Sequence, residues 1–223
     1  MKPEQMTLNR YTRIGVQLLF WIPTLFFSLL LVRNTIPYFS FSKHFNFIQE
    51  RLFLFDNALY SFCFYTHIAA GSFCILSALF QFSTAIIRKR TALHVWSGRI
   101  YVVVVLLIAA PTGMYMSFFA KGSMWERMLF VFMALLWFYS TARGLDTILK
   151  KNIIAHKQWM IRSYAMAMTA VTFRLYHILF YALGWSSLDN YEISLWISVV
   201  GNILFAEAII GLKSKKYFQT FLT

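Results

Sequence analysis

The chain has 223 residues, of which 59% are hydrophobic, 19% are aromatic and only 13% are charged. This composition excludes an ordinary soluble globular domain and indicates an all-α integral membrane protein. The net charge of +13 would favour a nucleic-acid partner in a soluble protein, but charges that flank membrane spans report orientation instead, so we expect the lipid bilayer and no nucleic acid.

Six long apolar runs follow one another along the chain. Runs of roughly 18 to 20 residues or more can cross about 30 Å of hydrocarbon, at about 1.5 Å per residue. The predicted spans are residues 14–36, 58–87, 100–120, 124–149, 158–184 and 193–212. We therefore predict one membrane domain over residues 1–223, a bundle of six transmembrane helices. Segment 37–57 is partly amphipathic, and we expect it to lie along the outer surface.

Basic residues alternate between the loops. Most of them precede the first span or follow the second, fourth and last spans: Lys2, Arg10, Arg13, Arg88, Lys89, Arg90, Arg99, Arg143, Lys150, Lys151, Lys157, Arg162, Lys213, Lys215 and Lys216. The intervening loops hold Arg33, Lys43, Arg51, Lys121 and Arg127. The positive-inside rule then places both termini in the cytoplasm.

Ionisable side chains at membrane depth are the candidate site residues, because they are costly there and usually serve a function. His67, Arg174, His177 and Glu207 lie within spans, and His94, Arg99, His156 and Arg162 lie at the cytoplasmic boundary. Counting residues from the span ends places His67 level with His177, and His94 level with His156. Glu207 lies at a depth where Arg162 or Arg99 can neutralise it, so we expect an ion pair.

Two histidine pairs at two depths, each drawn from different helices, are what bis-histidine ligation of haem b requires. Arg174 would hold propionates near the outer pair, and Arg99 or Arg162 near the inner pair. The inner pair, His94 and His156, could instead bind a metal ion, a phosphate or a lipid head group, with the two arginines as anion contacts. A plain hydrogen-bonded structural role fits any single histidine equally well.

The spacing W-x-x-R-x-Y occurs twice, at Trp96, Arg99 and Tyr101 and at Trp159, Arg162 and Tyr164. Both copies follow a histidine where the chain enters the membrane from the cytoplasm. Tryptophan and tyrosine at this depth are typical of the aromatic belt, although they could also pack against a cofactor. The repetition predicts two hairpins related by an axis along the membrane normal, with His94 and His156 around one cytoplasmic mouth.

The runs THIAAGSFCILSALFQF, LHVWSGRIYV, APTGMYMSFFAKG, LLWFYSTARGL and HKQWMIRSYAMAMTAVTFRL resemble the bacterial membrane-protein family catalogued as domain of unknown function 2306. The resemblance covers about residues 65–175. It implies a family-like core at about 58–184, additional spans at 14–36 and 193–212, and a location in the bacterial cytoplasmic membrane. Its signature positions would be His67, Gln81, His94, Gly98, Arg99, Tyr101, Gly113, His156, Trp159, Met160, Arg162, Ser163, Tyr164 and Arg174. His177 departs from that pattern.

Two functions are compatible with these patterns, and the family resemblance brings no assigned reaction. The first is a membrane redox protein, such as an oxidoreductase subunit, that binds haem b and passes electrons between a quinol and another acceptor. A distant likeness to two-haem b-type membrane cytochromes, based on paired histidines, points the same way. The second is a small transporter or assembly factor whose His/Arg cluster binds an anion, a lipid head group or a metal ion. A metal-dependent hydrolase ranks third, because Glu207 is the only intramembrane carboxylate.

Overall fold

Six long helices make up most of the protein. The computed structural model describes residues 15, 22, 24–82 and 84–214, and over these residues it contains helices and no strand, which confirms the all-α prediction. The long helices are α1 (described over 24–35), α2 (Ala58–Gln81), α3 (Thr91–Ser117), α4 (Met124–Leu149), α5 (Ile153–Ala182) and α6 (Ser187–Ser214). Shorter helical segments lie at Ile36–Ser40, Asn46–Gln49, Leu52–Phe55 and Thr84–Lys89.

Four of the described helices are long and apolar enough to cross a membrane: Ala58–Ser77, Thr91–Ser117, Met124–Leu149 and Asp189–Leu212. The protein is therefore a membrane protein with several apolar helices. Helix α5 has 30 residues but carries Lys157, Arg162 and Arg174, which lower its mean hydropathy. Residues 14, 16–21 and 23 of the predicted first span, and the tail from residue 215 onward, lie outside the described residues.

The predicted boundaries are accurate for α4 and too narrow for α3 and α5. Helix α3 begins at Thr91 rather than at residue 100, and α5 begins at Ile153 rather than at residue 158. The helix continues through polar residues at the interface because helical backbone groups satisfy one another. Helix α2 ends at Gln81, before a separate short helix Thr84–Lys89 that the prediction had merged with it.

A four-helix core is formed by α2, α3, α4 and α5. Helix α2 packs against α3 and α5, and α4 packs against the same two helices, so α3 and α5 face each other across the diagonal of the core. Helix α1 packs against α2 and α5 through Leu31, Ile75 and Val171. Helix α6 packs mainly against α5. Helix α5 is thus the most enclosed helix of the bundle.

The two ends of the bundle differ in charge. The connections after α2 and after α4 lie at the same end and carry Arg88, Lys89, Arg90, Lys150 and Lys151, so we call it the basic end. Segment 36–57 lies at the opposite, far end. There it packs against the first turns of α2, as in the stacking of Phe47 on Phe64 with ring centroids 5.4 Å apart.

Candidate functional site

A pair of histidines lies at the basic end of the core. His94 is near the start of α3 and His156 near the start of α5, so both are at the same depth. The imidazole of His94 lies within electrostatic range of His156 and of the neighbouring Lys157. The structure therefore places at one depth, on helices that lie across the core diagonal, the two residues that the sequence assigns to the inner pair. We call them the histidine pair.

The ring nitrogens of the histidine pair have unequal surroundings. Nδ1 of His156 lies 2.8 Å from the backbone oxygen of Gly144 on α4. A carbonyl only accepts, so this nitrogen carries the proton, and in the neutral ring Nε2 keeps a lone pair. Nδ1 of His94 is buried and has no hydrogen-bond partner among the described residues.

Glycine allows the close helix contact behind His156. A Cβ atom on Gly144 would lie 2.7 Å from the sulfur of Met160, so the Met160 side chain would have to shift. On the other side of the pair, the Gln81 amide donates to the backbone oxygen of His94 at 3.0 Å and to Ser97 Oγ at 2.6 Å. These contacts fix the starts of α3 and α5 relative to their neighbours.

The two arginines of the predicted inner site have different partners. Arg162 donates to both carboxylate oxygens of Glu207 on α6, at 2.5 and 2.8 Å, so the predicted ion pair of Glu207 is confirmed. Arg99 lies over the Trp96 ring, with its guanidinium carbon 5.1 Å from the centroid, and forms no ion pair with any described residue. Arg99 is therefore the arginine that can serve an anionic ligand.

The W-x-x-R-x-Y motif divides between two faces of its helix. A three-residue step places the arginine over the tryptophan, as in Arg99 over Trp96 and Arg162 over Trp159, where the distance is 4.6 Å. A five-residue step turns the tyrosine by roughly 140°. Trp96 is accordingly 62% exposed, whereas Tyr101 is 2% exposed. Tyr101 is thus a core residue and not part of an aromatic belt.

The tyrosines of the two motif copies have different neighbours. Tyr101 bonds to Ser163 Oγ on α5 at 2.8 Å, whereas the Tyr164 hydroxyl approaches the backbone oxygen of Ile75 on α2 at 3.5 Å. The repeat in sequence is therefore reproduced in the stacked tryptophan and arginine, but not in the contacts of the tyrosines.

Buried hydroxyl groups link three helices at the next level of the core. Trp137 Nε1 donates to Tyr101 at 3.2 Å, and Thr141 donates to the backbone oxygen of Trp137 at 2.8 Å. Since those donors are fixed, Tyr101 donates to Ser163 at 2.8 Å, and Ser163 donates to Thr141 at 2.7 Å. We call this the hydroxyl chain; it begins and ends on Trp137.

Sequence reasoning did not identify the hydroxyl chain as a unit. Tyr101 follows His94 by seven residues, and Ser163 follows His156 by seven, so each pair shares one helix face with a separation of about 10 Å. This seven-residue spacing is the feature of the sequence that could have indicated the hydroxyl chain. The hydroxyl chain therefore lies directly below the histidine pair, toward the middle of the bundle.

The His67 side chain forms a hydrogen bond to α3 near a wide helical turn. Its Nδ1 lies 2.9 Å from the backbone oxygen of Ala109, and Thr112 Oγ1 is 3.3 Å away. A Cβ on Gly113 would lie 2.7 Å from the His67 ring. Residues Val105–Ala109 form a π turn, in which the Ala110 N–H donates to the Val105 oxygen.

The structure does not bring His67 and His177 together. The contacts of His67 are with α3, whereas His177 stacks on Phe173 and lines a pocket between α1 and α5 that also contains Arg174. Two histidines at similar height thus face different helices. The outer haem pair stays a prediction from depth, and no contact between the two rings supports it.

A family model described as "Predicted membrane protein (DUF2306)" matches residues 64–210, well over half of the chain. The chain belongs to this family. The DUF2306 match covers nearly all of α2 to α6 and extends beyond residues 65–175, where the sequence resemblance was recognised. No curated protein and no solved structure matches the chain.

Several positions that the DUF2306 resemblance implies as signature residues contact one another. The space beside Gly98 is taken by Gln81, the space beside Gly113 by His67, and Tyr101 bonds to Ser163. The histidine pair contributes two further signature positions. For this DUF2306 chain, the pair and the groups around it are the candidate functional site.

Proposed function

We propose that this DUF2306 protein binds one haem b between His94 and His156 and transfers electrons in the membrane, with a quinol as one redox partner. The observation that carries the proposal is that His94 and His156 lie at one depth near the starts of α3 and α5, and that the buried Nδ1 of His94 has no hydrogen-bond partner among the described residues. Bis-histidine haem takes one imidazole from each side of the iron. The bound haem would supply one-electron chemistry, and the protein would hold and orient it.

The surroundings of His156 support a ligand role. A metal-binding histidine usually donates its other ring N–H to a carbonyl or carboxylate, which fixes the tautomer and the ring orientation. His156 donates in this way to Gly144. His94 offers a buried nitrogen that no described group satisfies, and such atoms normally have a partner.

The number of donors favours haem over a bare metal ion. Zinc sites use three or four protein ligands. Among the described residues, no three His, Cys, Asp or Glu side chains lie close enough to hold one ion. Haem brings four nitrogens of its own and needs two from the protein, which the histidine pair supplies. Arg99 has no ion pair within the described part of the chain, but a five-residue step turns it by roughly 140° from His94, so it does not share the helix face of the histidine pair.

An anionic head group bound without iron is the second candidate. Lys157 adds a positive charge within electrostatic range of His94, while the carboxylate of Glu207 is already bound to Arg162. At the cytoplasmic interface such a set would attract a lipid phosphate. This function would suit a transporter or an assembly factor.

Purification of the full chain from haem-supplied bacterial membranes tests the haem proposal. We expect a Soret band and, after reduction with dithionite, an alpha band, with both lost in His94→Ala and in His156→Ala. His44→Ala is the matched control, because His44 is an exposed histidine of the far-end segment. A colourless wild-type protein would favour the head-group function, and a haem spectrum that persists in both variants would mean that the ligands are wrong.

The proposal includes six spans with both termini in the cytoplasm of a bacterial cell. Helix α5 is enclosed by α2, α4 and α6, and a span shielded in this way can carry polar residues that would be costly against lipid. Helix α1 runs toward the far end and α6 runs back from it. The basic end would face the cytoplasm by the positive-inside rule.

Cysteine labelling tests this orientation. In a background without Cys63 and Cys74, the only two cysteines, we expect Lys43→Cys to react with an impermeant maleimide in intact cells. Lys150→Cys should react only after the membrane is opened. The reverse order of labelling would contradict the orientation.

A further inference from the structure

A small pocket lies between α1 and α5 toward the far end of the bundle. Its volume is about 110 Å³, and its walls are formed by Phe27, Leu30, Leu31, Asn34, Val171, Arg174, His177 and Ile178. The lining is mostly apolar, with three polar side chains. Sites for drug-sized ligands span roughly 300 to 1,000 Å³, so this pocket can take a head group but not a large ligand.

Arg174 places a positive charge in this pocket without a matching negative one. It lies eight residues before the end of α5, about 12 Å from the far end. Its Nη1 donates to the backbone oxygen of Ala170 at 2.7 Å. Because Ala170 lies farther from the far end than Arg174 does, the side chain does not extend toward the interface at the far end. Among the described residues no carboxylate pairs with Arg174; Tyr38 is within electrostatic range. An arginine at this depth usually has a counter-charge or a function.

His177 adds a second polar group that lacks a partner. Its Nδ1 is buried and, within the described part of the chain, forms no hydrogen bond. Its ring stacks on Phe173 with centroids 5.7 Å apart, which holds the imidazole against α5. Arg174 is meanwhile exposed, so the guanidinium stays accessible from outside the pocket.

We propose that this pocket binds the anionic phosphate head group of a membrane lipid, with Arg174 as the principal contact and His177 as the second. A planar guanidinium can bind a phosphate through two parallel hydrogen bonds. The negative charge would neutralise Arg174, and the apolar side chains of α1 and α5 would contact the first methylene groups of an acyl chain. The inference does not depend on haem, because it involves a separate pocket at the other end of the bundle.

Thermal unfolding of the full chain in a neutral detergent tests this site. We expect phosphatidylglycerol to raise Tm by at least about 3 °C, since a ligand that binds only the folded state stabilises it. Inorganic phosphate and diacylglycerol, at equal concentration, should have little effect. The same shift with inorganic phosphate would mean a free-anion site, and the same shift with diacylglycerol would mean acyl-chain binding alone; either result would overturn the proposal.

Two variants test whether the Tm increase with phosphatidylglycerol arises from binding in this pocket. Arg174→Gln removes the charge, and Ile178→Trp fills the pocket from a position that is 56% exposed, so at least the second should fold. Both should lose the response to phosphatidylglycerol. Arg127→Gln is the matched control, because Arg127 is an exposed arginine toward the same end, bonded to the Ala120 carbonyl outside the pocket. A response that survives in Ile178→Trp, or that disappears in Arg127→Gln, would contradict the site.

Discussion

Replacing Glu207 with arginine is expected to destabilise the protein by roughly 3 to 5 kcal/mol if α5 spans the membrane as proposed, because it removes the partner of the Arg162 charge and adds a like charge beside it. Arg162 and Glu207 lie roughly 10 to 13 Å from the basic ends of their helices. Their side chains are 24% and 47% exposed, and in the six-span arrangement proposed above this exposed surface would face lipid rather than water. Thermal unfolding in detergent, followed by size-exclusion chromatography, measures the loss.

A double variant in which Arg162 and Glu207 exchange their charges provides the decisive comparison. Arg162→Glu combined with Glu207→Arg should recover most of the lost stability, although the stacking of Arg162 on Trp159 is not restored. Asp146→Arg is the control, because Asp146 forms only exposed pairs with Arg143 and Lys150 at the basic end and its replacement should lower Tm much less than Glu207→Arg does. A double variant no more stable than Glu207→Arg would show that the ion pair contributes nothing specific.

Replacing Ser163 with alanine is expected to destabilise the protein by about 1 to 3 kcal/mol, since it interrupts the hydroxyl chain. The Tyr101 hydroxyl would lose its acceptor while 2% exposed, and Thr141 would lose a donor. The remaining bonds to Trp137 would persist. A lower Tm, together with a change in the tryptophan emission of the folded protein, is the expected measurement.

Ser140→Ala is a matched control for Ser163→Ala. Both serines are 0% exposed, but Ser140 Oγ has no hydrogen-bond partner among the described residues. Removing a buried hydroxyl that bonds to nothing should leave Tm unchanged or raise it. Equal losses in the two variants would mean that burial volume, and not the hydroxyl chain, determines the stability at Ser163.

The sequence predicted the helical class and the order of the helices because lipid requires long apolar segments with internally bonded backbones. It located α4 accurately, since charged residues bound that run on both sides. It misplaced the starts of α3 and α5, where polar residues such as His94 and His156 resemble loop residues in a hydropathy profile. Those residues are helical because the backbone groups of a helix satisfy one another at polar and apolar positions alike, which a hydropathy profile does not reveal.

The inner part of the site could be predicted and the outer part could not. Depth alone places His94 level with His156, and both are half-buried near the starts of their helices. The same count made His67 level with His177, but depth does not specify direction, and the two rings contact different helices. Tyr101 was open to prediction from helical periodicity, because five residues separate it from the exposed Trp96.

The π turn at Val105–Ala109 has a rotational consequence for α3. In a regular α-helix, Tyr101 and Gly113 would point in directions about 120° apart. One additional residue in the wide turn offsets this by about 100°, so the two residues come within roughly 20° of a common direction. A single helix can thereby present Tyr101 to α5 near the basic end and Gly113 to His67 near the far end, with no bend needed between these two levels.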